Sequence, residues 1–111
     1  MKFAALHAQP ECSVSHNPAI RKRVLLGAGD LPHLTGFAQA RLAPGQVAGA
    51  HTHADRCEVF FVEAGTGTIW IDDTPHCLQP GCCVAVEAGE QHEIANTGTE
   101  ELVLTYFGLQ V

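Results

Sequence analysis

Short intervals between turn-forming residues are the feature that most constrains the fold of this chain. Glycines, prolines and paired aspartates recur between short stretches rich in Val, Ile, Phe and Thr, and no stretch after residue 24 carries apolar residues at helical spacing. Strands that recur in this way predict an all-β sandwich or barrel in a single domain. The strands that we expect are Leu34–Leu42, Glu58–Glu63, Thr68–Ile71, Cys82–Val86, His92–Asn96 and Leu102–Phe107.

The composition is that of a folded domain with an acidic balance. The chain has 111 residues, of which 46% are hydrophobic and 16% charged, and these values exclude global disorder. Twelve acidic and six basic residues give a net charge of −6, and phosphate backbones require a basic face, so we expect no nucleic acid partner. Four of the six bases precede residue 24. We therefore expect residues 1–23 to form an arm and residues 24–111 the barrel domain.

The apolar segments and the cysteines indicate the compartment. No apolar run approaches the ~20 residues of a membrane-spanning helix, so we expect no membrane partner. The first apolar stretch is interrupted at His7, too early for a secretory core of about 7–15 residues, and this favours a cytoplasmic protein. Five cysteines form an odd number without CxxC spacing, which argues against a disulfide framework. We expect reduced, mostly buried thiols.

Three histidines and one glutamate are spaced as metal ligands. His51 and His53 are two residues apart, so both imidazoles project from one face of a strand. If the polar stretch after them turns the chain, Glu58 returns on the same face of the antiparallel neighbour, among apolar positions where an unpaired carboxylate is costly. His92 begins a later strand. Three neutral imidazoles and a carboxylate suit a divalent transition metal, although a solvated strand end is the default interpretation of His51 and His53 by themselves.

Glycines at fixed distances turn this cluster into two recognisable motifs. The first reads Gly45, five residues, His51-x-His53, four residues, Glu58, six residues, Gly65. The second reads Gly81, five residues, Glu87-x-Gly89, two residues, His92, three residues, Asn96. Their order and their separation by residues 66–80 resemble the two signature motifs of the cupin superfamily, which has proline where Glu87 stands.

The resemblance implies a single-domain, cupin-type jelly-roll β-barrel that holds one divalent metal (Mn, Fe, Ni or Zn). Carried over position by position, the metal ligands are His51, His53, Glu58 and His92. The motif glycines become turn or bulge positions, and Asn96 supports its strand end. The remaining histidines match no motif position and are expected to be surface or hydrogen-bonded residues: His7, His16, His33 and His76.

The resemblance does not fix the reaction, because cupins include dioxygenases, isomerases, decarboxylases and binding modules. We expect a metalloenzyme, dioxygenase-like or isomerase-like, that acts on a small, oxygen-rich organic molecule, since four protein ligands leave metal positions open. The alternative is a non-catalytic small-molecule-binding or sensor protein. An acid or base beside the metal favours catalysis, whereas a wholly apolar lining favours binding.

Strand alternation gives further expectations for the site and the surface. Phe60, Val62 and Ile94 share the face of the ligands and should wall the site, while Cys57 should face away from Glu58. Tyr106 could reach the pocket, although packing is the expected role. Exposed sheet edges and apolar residues on outer sheet faces, such as Trp70 and Phe61, predict a homodimer.

Overall fold

Ten antiparallel strands in two sheets make up the computed structural model, which describes residues 1–111. The strands are β1 (Glu11–Val14), β2 (Asn17–Gly27), β3 (Leu34–Leu42), β4 (Val47–Thr52), β5 (Arg56–Ala64), β6 (Gly67–Ile71), β7 (Thr74–Leu78), β8 (Cys83–Val86), β9 (Gln91–Ala95) and β10 (Leu102–Gln110). The only helical element is a 3-10 turn at Leu6–Ala8, so the all-β prediction is confirmed. None of the helical structure has the length or the apolar character that crossing a membrane demands.

The two sheets face each other with the core between them. One has six strands in the order β1-β2-β3-β10-β5-β8, and the other has four in the order β4-β9-β6-β7. From β3 onward the chain passes back and forth between the sheets, apart from the β6–β7 hairpin, as expected of a jelly roll. Eleven buried side chains form the core: Ile20, Ala40, Leu42, Phe60, Val62, Ile69, Leu78, Val86, Ile94, Leu102 and Leu104.

A row of glycines at one end of the six-stranded sheet makes room for a site. Gly27 of β2, Gly36 of β3 and Gly108 of β10 are consecutive partners across the sheet, and Gly108 is in turn opposite Glu58 of β5. By contrast, Leu102 and Leu104 at the start of β10 are 0% and 2% exposed. The barrel is therefore filled by side chains where β10 begins and left open at the level of Glu58.

The expected strands are all present, and a two-residue turn joins β6 to β7. Asp72 and Asp73 both have positive φ, 46° and 68°, which is the conformation of a two-residue hairpin turn. Four further strands lie outside the ranges expected above: β1, β2, β7 and β4, the last of which contains the His51 that was expected on a strand. Three of these are edge strands, where Gly49 in β4 and Pro75 in β7 are tolerated because one side of the strand makes no ladder.

The basic N-terminal segment belongs to the six-stranded sheet. β2 runs across the boundary expected at residue 24, and Ile20 is 1% exposed within the core. On the outer face, Arg21 and Arg23 lie 3.7 and 3.5 Å from the carboxylate of Glu11 in β1. The division of the chain into an arm and a barrel domain stays a prediction.

The cysteines are free thiols, but the expectation that most of them are buried is wrong. Cys12, Cys77 and Cys83 are exposed, while Cys57 and Cys82 are half-buried. The three exposed thiols lie on β1, β7 and β8, which are edge strands with fewer neighbours to cover them.

Candidate metal centre

The structure brings the four expected ligands together. His51 lies near the end of β4 and His53 just after it, Glu58 lies in β5, and His92 lies in β9 directly opposite His51. One ligand atom from each residue lies within 4.8 Å of the other three, so the group could hold a metal ion.

Two atoms at the centre of this group are buried without hydrogen-bond partners. Glu58 Oε1 lies 3.2 Å from His53 Nε2 and 3.3 Å from His92 Nε2. Despite these short distances, neither Glu58 Oε1 nor His92 Nε2 has a partner with hydrogen-bond geometry. Leaving a buried polar atom unsatisfied costs about 1–3 kcal/mol. Lone pairs that converge in this way would suit a cation between them, so the four residues fit a metal ion.

Backbone carbonyls orient two of the three imidazoles. Nδ1 of His51 lies 2.8 Å from Gly49 O, and Nδ1 of His92 lies 3.4 Å from Glu90 O. A carbonyl oxygen only accepts, so each Nδ1 carries the proton and donates, which leaves the Nε2 lone pair for a metal.

The surroundings of the site hold its groups in the protonation states that metal binding requires. Burial lowers the pKa of His51 to about 4, and the other histidines of the site add to this effect while the Gly49 hydrogen bond opposes it. Burial also lowers the pKa of His53, against the opposing effect of Glu58. Burial raises the pKa of Glu58, but His92 and His53 outweigh it and the net pKa lies below its usual value. The imidazoles of His51 and His53 are thus neutral and the Glu58 carboxylate is ionised near pH 7.

These shifts predict that acid destabilises the metal-free protein. In the unfolded chain His51 takes up a proton near its ordinary pKa of 6.5, whereas in the folded protein it stays neutral down to about pH 4. Because the unfolded state binds more protons in this window, the free energy of unfolding should fall as the pH is lowered through it. The lowered pKa of Glu58 acts in the same direction at more acidic pH. Urea unfolding at several pH values in this window measures the slope of the free energy of unfolding against pH. The variant His51→Asn should flatten this slope, whereas the control His76→Asn, at an exposed position, should not. A stability that rises as the pH falls would contradict the assignment.

His16 joins the site, although its spacing gave no indication of this. It lies in the turn between β1 and β2, and its ring stacks on that of His51 with centroids 3.6 Å apart and planes at 16°. Its surface exposure agrees with expectation. Its position over His51 depends on the β1–β2 hairpin, which residue spacing alone does not predict.

Replacing His16 with alanine should weaken metal binding a few-fold, far less than the loss of a ligand. The stack restricts the His51 ring, and aromatic pairs contribute about 0.5–1.5 kcal/mol beyond burial. A competition titration with a chromogenic chelator measures the change, and His16→Phe should restore affinity because it retains a stacking ring. A loss as large as that of His51→Ala would instead identify His16 as a ligand.

A cavity of about 360 Å³ extends from the site into the barrel. Phe60 and Ile94 line it as expected, whereas Val62 is fully buried in the core and does not. Tyr106 packs in the barrel and also lines the cavity, and its ring stacks on that of Phe60 with centroids 5.4 Å apart. Burial raises the pKa of the Tyr106 phenol to about 12. Arg56 lines the cavity too, and its Nε is buried without a hydrogen-bond partner. The lining is therefore mixed rather than wholly apolar.

Cys57 and Asn96, which lie near the four-residue group, have the positions expected from the sequence. Cys57 faces away from the site, where its Sγ contacts Leu109 O at 3.7 Å. Asn96 is 2% exposed, donates to Leu42 O and Glu100 O at 2.8 and 2.7 Å, and accepts from the Gly98 amide. It therefore fastens the end of β9 to β3 and to the loop before β10.

The one departure from the motif has a local compensation. The backbone N–H of Glu87 donates to Glu90 Oε1 at 2.8 Å, a bond that proline could not make. The turn before His92 thus keeps its shape by a hydrogen bond instead of a ring.

Comparison with known proteins agrees with this fold. An oxalate-binding protein from Thermotoga maritima is 30% identical over 66 residues, which are 60% of this chain and 54% of that protein. The match thus spans about half the length of that relative. The crystal structure of a predicted oxalate decarboxylase from Thermotoga maritima superposes with a TM-score of 0.90 at 20% identity, covering 98% of this chain and 99% of the other.

Two further structures share the fold. A cupin-superfamily sugar phosphate isomerase from Silicibacter pomeroyi superposes with a TM-score of 0.83 at 23% identity. The superposition covers 98% of this chain and 76% of the isomerase chain. KdgF from Halomonas sp. has a TM-score of 0.82 at 18% identity, with 100% and 96% coverage. The Cupin_2 family model, described as the cupin domain, matches residues 38–108, which include all four residues of the site. The chain belongs to the Cupin_2 family.

Proposed function

We propose that this protein binds one divalent transition metal through His51, His53, Glu58 and His92 and acts as a dioxygenase-like or isomerase-like metalloenzyme on a small, oxygen-rich organic molecule. The observation that carries the proposal is the pair of buried, unpartnered atoms Glu58 Oε1 and His92 Nε2 at the centre of the group. Three neutral imidazoles and a carboxylate match Mn, Fe, Ni or Zn. When bound, such an ion supplies Lewis-acid or oxygen chemistry at the positions that the protein leaves open.

The residues of the cavity favour catalysis over simple binding. Its walls include many apolar side chains, and Arg56 and Tyr106 place a cation and a phenol among them. Polar groups of this kind orient a substrate and hold or move its protons. Related proteins point to ligands of the same class, since one is named for oxalate and another for sugar phosphates.

The second candidate is a non-catalytic binding protein. The curated relative is named for binding oxalate and not for converting it, and this observation favours the alternative. The two candidates differ in whether the metal keeps positions that outside ligands can reach.

The test is to load untagged protein with Fe(II) without oxygen and to add nitric oxide. We expect a ferrous nitrosyl signal in electron paramagnetic resonance, and a change in that signal when small carboxylates are added. Glu58→Gln, which keeps the shape of the side chain but removes its charge, should weaken iron binding and reduce the signal. Absence of an adduct in iron-loaded protein would overturn the enzyme proposal and leave the binding protein.

We also propose a homodimer that covers the outer face of the six-stranded sheet. Phe61 and Leu109 on this face are 39% and 40% exposed, and Phe37 and Phe107 lie beside them as an edge-to-face pair. Light scattering at roughly 10 µM should give the mass of two chains, and Phe61→Glu should give one. Val47→Glu is the control, since Val47 is 38% exposed but lies in the other sheet. A monomer mass for the wild-type protein would contradict this proposal.

A cytoplasmic location without nucleic acid partners completes the proposal. All five cysteines are free, as is usual in a reducing compartment. On the outer face of the six-stranded sheet, Arg21 and Arg23 pair with Glu11, and Arg41 pairs with Glu101 at 2.7 Å. These cations are neutralised by acids and offer no phosphate-binding face.

A further inference from the structure

Lys22 is a cation on the inner face of β2. It lies between Ile20 and Val24 in the alternation of that strand, and all three residues line the cavity. The ion pairs of the chain are made by four arginines and by two histidines of the site, so the Lys22 ammonium has none. Its neighbours on the outer face, Arg21 and Arg23, share Glu11. The two outward cations of β2 are therefore paired with an acid, whereas the inward cation, Lys22, is not.

The register places Lys22 away from the metal centre. Lys22 is opposite Ala40 of β3, which is opposite Leu104 of β10, whereas Glu58 is opposite Gly108 of the same strand. Four residues of β10 separate the two levels, about 13 Å at the backbone. Tyr106 lies between them, stacked on Phe60.

An unpaired ammonium inside a cavity with a mostly apolar lining is unfavourable unless it reaches water or meets an anion. The cavity wall around Lys22 is formed by residues such as Ile20, Ala40, Leu42 and Leu104. A carboxylate suits a single ammonium, and no arginine of the cavity lining lies at the level of Lys22 to add the fork that favours phosphate. Arg56, the arginine of the cavity lining, is opposite Gln110 of β10, at the level of the metal centre.

We propose that the cavity binds an elongated dianion with two distinct ends. Its metal-binding, oxygen-rich end lies at His51, His53, Glu58 and His92, and a second carboxylate pairs with Lys22. A short apolar body packs along Phe60 and Tyr106. This inference rests on the proposed metal site and adds the class of ligand that the site selects.

Two six-carbon acids provide the probe. Both 2-oxohexanoate and 2-oxoadipate carry the same chelating 2-oxocarboxylate end, but only 2-oxoadipate has a carboxylate at the other end. Calorimetric titration of the Ni(II)-loaded protein should show about tenfold tighter binding of 2-oxoadipate, the equivalent of one desolvated charge pair. Lys22→Met should remove this preference and leave the affinity for 2-oxohexanoate unchanged.

Two variants control for folding and for overall charge. Arg21→Met removes one positive charge from the outer face of the same strand and should keep the preference, whereas Lys22→Arg should keep most of it. An equal preference in Lys22→Met and wild type would overturn this inference alone, because the ammonium would then reach solvent instead of the ligand. Failure of both acids to bind the nickel-loaded protein would overturn the open metal site and this inference with it.

Discussion

Replacing His92 with alanine should lower the affinity for a divalent metal by about 100-fold or more. His92 is 1% exposed and its Nε2 lies 3.3 Å from Glu58 Oε1, so the change removes a ligand from the most buried part of the site. Losing a partner that merely orients a ligand already costs about 10- to 100-fold, and a ligand itself costs more. Competition titrations with Ni(II) and Zn(II) measure the loss.

His76→Ala is the matched control for this change. His76 is an exposed histidine on the edge strand β7 and lies outside the four-residue group. The His76→Ala variant should bind metal with the affinity of the wild-type protein. Wild-type affinity in His92→Ala would mean that the buried group is not where the metal binds.

Gly65→Ala should be the most destabilising of the glycine substitutions in the two motifs, at about 3–5 kcal/mol. Gly65 has φ of +80°, and a Cβ there would collide with Glu101 O and lie 2.8 Å from Leu102 Cα. Both are backbone atoms that cannot rotate away, so the loop before β10 would have to shift. Urea unfolding measures the change in the free energy of unfolding.

Gly45→Ala separates the two causes of this loss. Gly45 has φ of +85° but no atom within 4 Å of its would-be Cβ, so only backbone strain of about 1–2 kcal/mol is expected. Equal losses in the two variants would contradict the role of the close approach at Gly65.

The grouping of the four candidate ligands could be predicted from the sequence because it depends on local rules. Strand parity places His51, His53 and Glu58 on one face, and the resemblance to the cupin motifs selects His92. The glycines between them mark turns that only a few residue types can make, as the positive φ at Gly45, Gly65, Gly81 and Gly89 shows. Strand parity and turn conformation do not depend on how the other strands of the barrel are ordered.

The remainder of the site depends on contacts that sequence spacing does not encode. His16 reaches His51 only because β1 pairs with β2 and the hairpin turn lies over β4. Lys22 lies within a basic run that is usually solvated, and only the alternation along β2 turns it inward while Arg21 and Arg23 face outward. The exposure of Cys12, Cys77 and Cys83 likewise follows from which strands form the edges, and strand order is a property of the whole fold.

The most direct test of the central claim, that these four residues form one metal site, is a crystal structure of untagged, metal-reconstituted protein with anomalous data collected at the metal edge. We predict one anomalous peak per chain, within about 2.0–2.2 Å of an imidazole nitrogen of His51, His53 and His92 and of a carboxylate oxygen of Glu58. A single peak among the exposed residues His76 and Cys77, or no peak in reconstituted crystals, would contradict it.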